Sequence, residues 1–426
     1  MQAIPIIIFS LVLLIGGAVL AHIIGAASIL TFLALDRARF LAAAPQRILA
    51  NIDLFSLMSM PLFILAGEIM NRAGVTQALL DLASAMMARL RGGLGHVNIL
   101  TSVFFAGISG SAVADAASVS NTLVPAMKKN GYPMDYACAI TAASSVIGPI
   151  IPPSITLIFY GALMQTSVTA LFIAGIVPGI LMALVLFGLN AYMAKKYDHP
   201  RGEKVAFSVF LKRLWRAMPA LLIPIVIMGG IVFGIMTPTE AAAVAVLCAI
   251  VAGMIYGQMT LKGLYDSLHR TAMMTGSIFV LLAAVAIFGY LAGIEQIPRY
   301  LSGVIENLGL DGWRYLLLLN VIFLIVGTFL DVPVALALFV PLLAPPALAM
   351  GVDPIHLGIV ILVNLMIGLV TPPLGAALLV VSTVTKVRYW SIARAVLPFL
   401  VVQIILLMVL TFVPEITLAV PRALGY

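Results

Sequence analysis

Long apolar stretches separated by short polar ones run the length of the chain. Ile4–Leu20, Leu221–Met236, Ala241–Tyr256, Ile278–Gly293 and Val396–Val413 each approach the roughly 20 residues that a helix needs to cross a bilayer. The period-two alternation of membrane strands is missing from them. The pattern therefore predicts an all-α polytopic membrane protein. One run, VTQALLDLASAMMARLR within 74–93, is apolar on one face only and suits a helix lying along the interface. Two stretches break the apolar pattern with prolines: IGPIIPPSI at Ile147–Ile155 and IGLVTPPLG at Ile367–Gly375. Proline inside a helix removes a donor and displaces the preceding turn, so each stretch predicts a break within a buried element.

The two breaks belong to a larger repeat. Sliding the second half over the first so that Gly107 meets Gly327 also brings Pro125 onto Pro345, Gly131 onto Gly351 and Gly148 onto Gly368. Pro152-Pro153 then falls on Pro372-Pro373 and Pro178 on Pro398, without a gap. Ten of 72 positions are identical over this stretch and seven of those are Gly or Pro. Those residues mark backbone breaks rather than greasiness, which makes the match a structural one.

Charge orients the halves. Lys195–Arg216 carries seven Lys/Arg against two acids and reads as a cytoplasmic connector. Arg89, Arg91, Lys128, Lys129, Lys195 and Lys196 are placed on that side, which makes 97–127 a re-entrant hairpin and 135–165 a broken crossing. In the second half the basic cluster is Lys386, Arg388 and Arg394, which aligns with first-half positions on the other side. The halves are then inverted, with three spans, a hairpin and two spans each; the second hairpin is 317–347 and the second broken helix 355–385. Arg37, Arg39 and Arg47 fit this arrangement poorly, because it places them outside.

Composition narrows the function. Only 9% of the 426 residues are charged, against about 25% in soluble proteins. A net charge of +7 follows from basic cytoplasmic loops and calls for no nucleic acid. The N-terminal run lacks a basic flank and an A-x-A site, so it reads as the first span rather than a signal peptide. Cys138 and Cys248 offer neither a disulfide framework nor a metal site. His22, His96, His199, His269 and His356 form no H-E-x-x-H, and neither a G-x-S-x-G elbow nor a P-loop is present. The chain reads as a transporter that uses neither nucleotide nor transition metal, and not as an enzyme.

Broken backbone at membrane depth is tolerated where protein or a polar cavity covers it, and in inverted-repeat transporters it forms the ion and substrate sites. Four breaks qualify: Ser109-Gly110-Ser111, Gly148–Pro153 with Pro149, Gly327–Pro333, and Gly368–Pro373. Glycine lets carbonyls converge, Pro-Pro leaves upstream carbonyls free, and Ser or Thr adds neutral oxygens of the kind hard cations prefer. Ser109, Ser111 and Gly148 would form one sodium site; Gly327, Thr328, Gly368 and Thr371 would form its mate. Asp115 and Asp331, acids beside the tips, would favour a cation there. Ser144, Ser145, Thr156, Asn364, Ser382 and Thr383 flank the breaks and are candidates for a substrate cavity; His96 and Asn98 are weaker ones.

FFAGISGSAVADAASV at Phe104–Val119, MPLFILAGEIM at Met60–Met70, IGPIIPPSI, TPTEAAAVAV at Thr237–Val246 and TPPLG at Thr371–Gly375 together resemble the large membrane subunit of TRAP transporters, the DctM type, over nearly the whole chain. The resemblance implies a tripartite secondary transporter of the bacterial inner membrane. Its other parts would be a separate small DctQ-type membrane subunit and a periplasmic DctP/SiaP-type binding protein that delivers a carboxylate. It also implies an elevator, with scaffold at 1–91 and 217–312, transport domain at 92–194 and 313–414, connector at 195–216 and tail at 415–426. The family carries C4-dicarboxylates, sialic acid and other sugar acids; SAVAD at Ser111–Asp115 looks more like the sugar-acid members. SNT at Ser120–Thr122 lies past the tip and is read as chance. A standalone sodium-coupled anion symporter and an uncoupled channel-like protein are the alternatives.

Overall fold

The computed structural model describes residues 9, 12–13, 18–107, 110–202 and 205–426. Most of the first apolar run, Ile4–Leu20, lies outside the described residues. Among the described residues the regular structure is helical, with no strand. Seven of these helices are long and apolar enough to cross a membrane, or eight if one bent pair is a single span.

The first half holds α1 (Leu20–Ala34), a 3-10 turn (Ala38–Ala43) leading into α2 (Ala44–Ile52), α3 (Ser59–Arg72) and α4 (Val75–Met87). The segment from Ala38 to Ile52 meets that from Phe55 to Arg72 at 61°. Then come α5 (Gly93–Ala106), α6 (Ala112–Lys129), α7 (Met134–Ser145), α8 (Ile155–Met164) and α9 (Val168–Lys196). The second half holds α10 (Phe207–Val232), α11 (Pro238–Ile255), α12 (Leu261–Ile294), α13 (Ile297–Asn307), α14 (Gly312–Phe329), α15 (Val332–Ala349), α16 (Pro354–Gly368), α17 (Ala376–Thr385), α18 (Tyr389–Phe412) and α19 (Glu415–Ala423).

The repeat seen in the sequence is present in the backbone. The alignment that sets Gly107 on Gly327 also sets the start of α6 on that of α15, and the start of α7 on that of α16. Gly131 and Gly351 close the turns after α6 and α15 with φ of 81° and 84°, a left-handed conformation that glycine adopts without a Cβ clash. The Pro152-Pro153 and Pro372-Pro373 bonds are both cis.

Hydrogen bonds fix the direction of each pair. The amide of Gly92, before α5, and the hydroxyl of Tyr132, after α6, both donate to the carbonyl of Pro200 (3.1 and 3.2 Å). The two arms therefore leave and return on one side, the side of the basic connector. In the second half Tyr315, early in α14, donates to the carbonyl of Leu343 late in α15 (2.8 Å), closing the other hairpin in the same way.

The broken helices run antiparallel. Cys138, at the start of α7, contacts Thr385 at the end of α17 (3.4 Å), and Tyr160, near the end of α8, donates to the carbonyl of Pro354 at the start of α16 (2.8 Å). The equivalent helices α7 and α16 thus start at opposite ends of the bundle. α6 packs on α17 and α8 on α15, the exchange of partners that a twofold relation between halves produces.

Helix ends follow local chemistry. Thr237 and Glu240 form a reciprocal capping box at the start of α11. The small face behind it, Ala242, Ala245, Ala249 and Ala252, is buried and lets α11 lie close along α3. The amphipathic run became α4, whose apolar face, including Leu79, Leu80 and Leu82, is buried where the helix packs on α10 and α5. Its apolar surface is covered by protein.

Candidate functional site

The first break is buried in protein. The backbone turns at 146–150 after α7, and Ser154 caps α8 through the amide of Leu157 (3.2 Å) while donating to the carbonyl of Pro149. α9 covers this loop with glycine: a Cβ on Gly175 would come within 2.6 Å of the Ile150 carbonyl. Asp115, on the first turn of α6 and 1% exposed, lies against Gly148, where any Cβ would collide with its carboxylate.

The second break is more open. α14 and α16 cross where Gly327 and Gly368 meet backbone to backbone; a Cβ on Gly368 would fall 2.7 Å from the Gly327 Cα. The amide of Gly375 donates to the carbonyl of Thr328 (3.2 Å), tying this break to its hairpin tip. Thr328 and Thr371 turn their hydroxyls back onto the carbonyls of Leu324 and Ile367. Each hydroxyl oxygen keeps acceptor capacity while it donates.

A cavity of about 330 Å³ joins these parts. From the first tip it takes Gly110 and Ser111; from the first break, Pro149 and Thr156; from the second tip, Asp331; and from the end of α16, Met366 and Leu369. Its far wall belongs to α3 and α12 and includes Glu68, Asn71 and Ser277. Glu68 pairs with Arg270 (3.5 Å), and one turn along, Arg72 pairs with Asp266 (3.3 Å), so that two ion pairs lace α3 to α12 beside the cavity. Ser111 is the N-cap of α6 and accepts from the amide of Ala114 (3.4 Å). Asp331 is the N-cap of α15, yet its side chain makes no capping bond there. The N2 position is Pro333, which has no N–H to offer.

The sequence candidates separate into groups. Ser111, Pro149, Thr156 and Asp331 line the cavity. Gly148, Asp115, Gly327, Thr328, Gly368, Thr371, Pro152, Pro153, Pro372 and Pro373 sit at or beside the two breaks and are not among the residues lining it. Ser109 lies outside the described residues. Ser144 is fully buried in a network with Asn98, Thr141 and Ser102 that joins α5 to α7. Asn364, its equivalent in the second half, binds Asn320 on α14, which in turn binds Thr411 on α18. Ser145 bonds to the Ala142 carbonyl. Ser382 bonds to the Val387 carbonyl and Thr383 to that of Leu379, on α17 away from the cavity lining. Sequence reasoning missed Glu68, Asn71 and Ser277. Glu68 carried a usable signal, an acid inside an apolar segment.

A convergence of two hairpin tips and two broken helices on one cavity is a carrier's arrangement. The family profile of the tripartite ATP-independent periplasmic transporter, DctM component, matches residues 7–416. The chain belongs to this family. Among DctM relatives, the sialic acid TRAP transporter large permease protein SiaM of Vibrio cholerae is 39% identical over 93% of both chains. The C4-dicarboxylate TRAP transporter large permease protein DctM of Pseudomonas aeruginosa is 36% identical over 94% of this chain and 93% of its own. The isethionate permease DctMQ of Oleidesulfovibrio alaskensis is 38% identical over 86% of this chain but only 58% of its own. The fold is shared with the crystal structure of the Alcanivorax borkumensis YdaH transporter, at a TM-score of 0.64 and 14% identity over 97% of this chain and 98% of that one. This DctM chain is thus a multi-pass TRAP large permease subunit.

Proposed function

We propose that this permease imports an organic acid across the bacterial inner membrane, driven by sodium. It would act with a separate small DctQ-type subunit and a periplasmic binding protein of the DctP/SiaP type. The cargo class is a carboxylate of the kind named for its relatives, sialic acid, another sugar acid or a C4-dicarboxylate. The observation that carries the reading is the cavity itself. It lies between α3 and α12 on one side and both hairpin tips with the first break on the other. That boundary is where a moving domain would meet a fixed one in an elevator.

Sodium would enter as cargo at two pseudo-symmetric places. The first is the break at Gly148 with the tip at Ser109–Ser111; the second is Gly327 and Thr328 with Gly368 and Thr371. Convergent carbonyls and hydroxyls are the neutral oxygen donors that suit a hard monovalent cation better than a transition metal. Asp115 beside Gly148 and Asp331 on the cavity wall bias both places toward cations.

Reconstitution tests this reading. Uptake into proteoliposomes should require the small subunit, an inward sodium gradient and the binding protein outside. Uptake without the binding protein would point instead to a standalone symporter, and sodium-independent flux to a channel.

A further inference from the structure

Three arginines, Arg37, Arg39 and Arg47, stand on the side away from the basic connector. α12 starts on the connector side, where Tyr256 donates to the Arg216 carbonyl (2.6 Å), and it runs 34 residues to the opposite side. Arg270 and Tyr290 on α12 are separated by about 30 Å along the helix, close to the thickness of the hydrocarbon core. The guanidinium of Arg47 sits over the Tyr290 ring at 4.9 Å, and both lie toward the end of α12 far from the connector. Arg37 has an acidic partner in Glu295 (3.6 Å). Among the described residues Arg47 has none.

Arg47 and Asn51 line a second cavity, of about 520 Å³, whose other walls are almost wholly apolar. One wall is α12, with Val285, Phe288 and Gly289; the other is Leu163 of α8 with Pro341 and Leu342 of α15. Gly289 and Gly293 have no atoms within 4 Å of where a Cβ would stand, so the crevice is open along α12. A cation with an amide beside it leads into an apolar slot at the far end of α12. That arrangement complements an anionic head with an acyl tail, and a free anion would leave the slot empty.

We propose that this crevice seats an anionic phospholipid of the outer leaflet, with its phosphate on Arg47 and Asn51 and a chain between α12 and α15. A basic pocket between membrane helices is the general chemistry of such sites. The volume is within the range of built ligand sites. The seat bridges α2 and α12 to the hairpin arm α15, and its occupancy does not depend on what the carrier transports.

Native mass spectrometry of the full chain, purified with its small subunit and delipidated, tests this with phosphatidylglycerol as probe. Phosphatidylglycerol should bind more tightly than phosphatidylcholine, and soluble glycerol phosphate should fail to displace it. Arg47→Ala should weaken phosphatidylglycerol binding about fivefold, the effect of one basic residue on an anionic lipid, and bring it near phosphatidylcholine. Gly289→Phe puts a ring into the slot while keeping the Arg47 charge and should abolish binding of both lipids. Unchanged phosphatidylglycerol affinity in either folded variant overturns the proposal, as does full displacement by glycerol phosphate. If Gly289→Phe fails to fold, Arg47→Ala with the glycerol phosphate competition decides.

Discussion

Ser111 and Asp331 occupy equivalent places in the two halves: each is the N-cap of the arm returning from a hairpin tip, and both face one cavity. The repeat has put a neutral oxygen at one tip and a carboxylate at the other. In the first half the acid has moved one turn on, to Asp115, and is buried against the break.

That arrangement predicts that either acid should matter more than the neutral oxygen at the first tip. Asp331→Asn and Asp115→Asn should each raise the sodium concentration for half-maximal uptake by about tenfold, the equivalent of roughly 1.4 kcal/mol. Ser111→Ala should shift it less. Sodium titration of uptake in proteoliposomes measures this, and an unchanged titration in both Asn variants would remove the acids from the ion sites.

Gly368→Ala should destabilise the protein by about 1–3 kcal/mol, because its methyl meets the Gly327 backbone rather than a side chain that can move. Gly276→Ala on α12 meets nothing within 4 Å and should be neutral or stabilising by about 0.5–1 kcal/mol. Thermal unfolding of the two purified variants provides the comparison.

Ser144→Ala removes a partner from the buried amide of Asn98 and should cost about 1–3 kcal/mol of stability. Its KM for the carried acid should stay at the wild-type value. Thr156→Val, on the cavity wall, should raise KM instead. A KM shift in the Ser144 variant of folded protein would return that residue to the substrate site.

The Glu68–Arg270 pair joins a mostly buried acid to an exposed base, with side-chain exposures of 13% and 64%. Arg270→Ala should therefore lower thermal stability by about 1–3 kcal/mol, because it leaves a largely buried group unpaired. It leaves the Glu68 carboxylate on the cavity wall without its counter-charge, so uptake of an anionic substrate should fall. Glu68→Gln in the same background should restore part of that uptake; no recovery would separate Glu68 from the transport path.

The fold was legible in the sequence where backbone chemistry is punctuated. Gly131, Gly351 and the two Pro-Pro pairs constrain conformation directly, so their spacing carried the repeat into three dimensions. Ser144 and Asn364 were misleading for a physical reason. A polar residue beside a break faces either a cavity or another helix, and the deciding partners, Asn98 and Asn320, lie 46 and 44 residues away. The wall formed by Glu68, Asn71 and Ser277 was hidden because closure of α3 and α12 over the tips is a tertiary event that no local pattern encodes.

Both arms of the first hairpin are fastened to the Pro200 carbonyl, in the most polar stretch of the chain. That stretch is the natural choice for an inserted affinity tag or a protease site. It is a poor one, because a cut or a bulky insertion beside Pro200 would pull directly on the base of a hairpin whose tip lines the cavity. The exposed turn at Gly257, between α11 and α12, has open space around it and is the better place to attach a label.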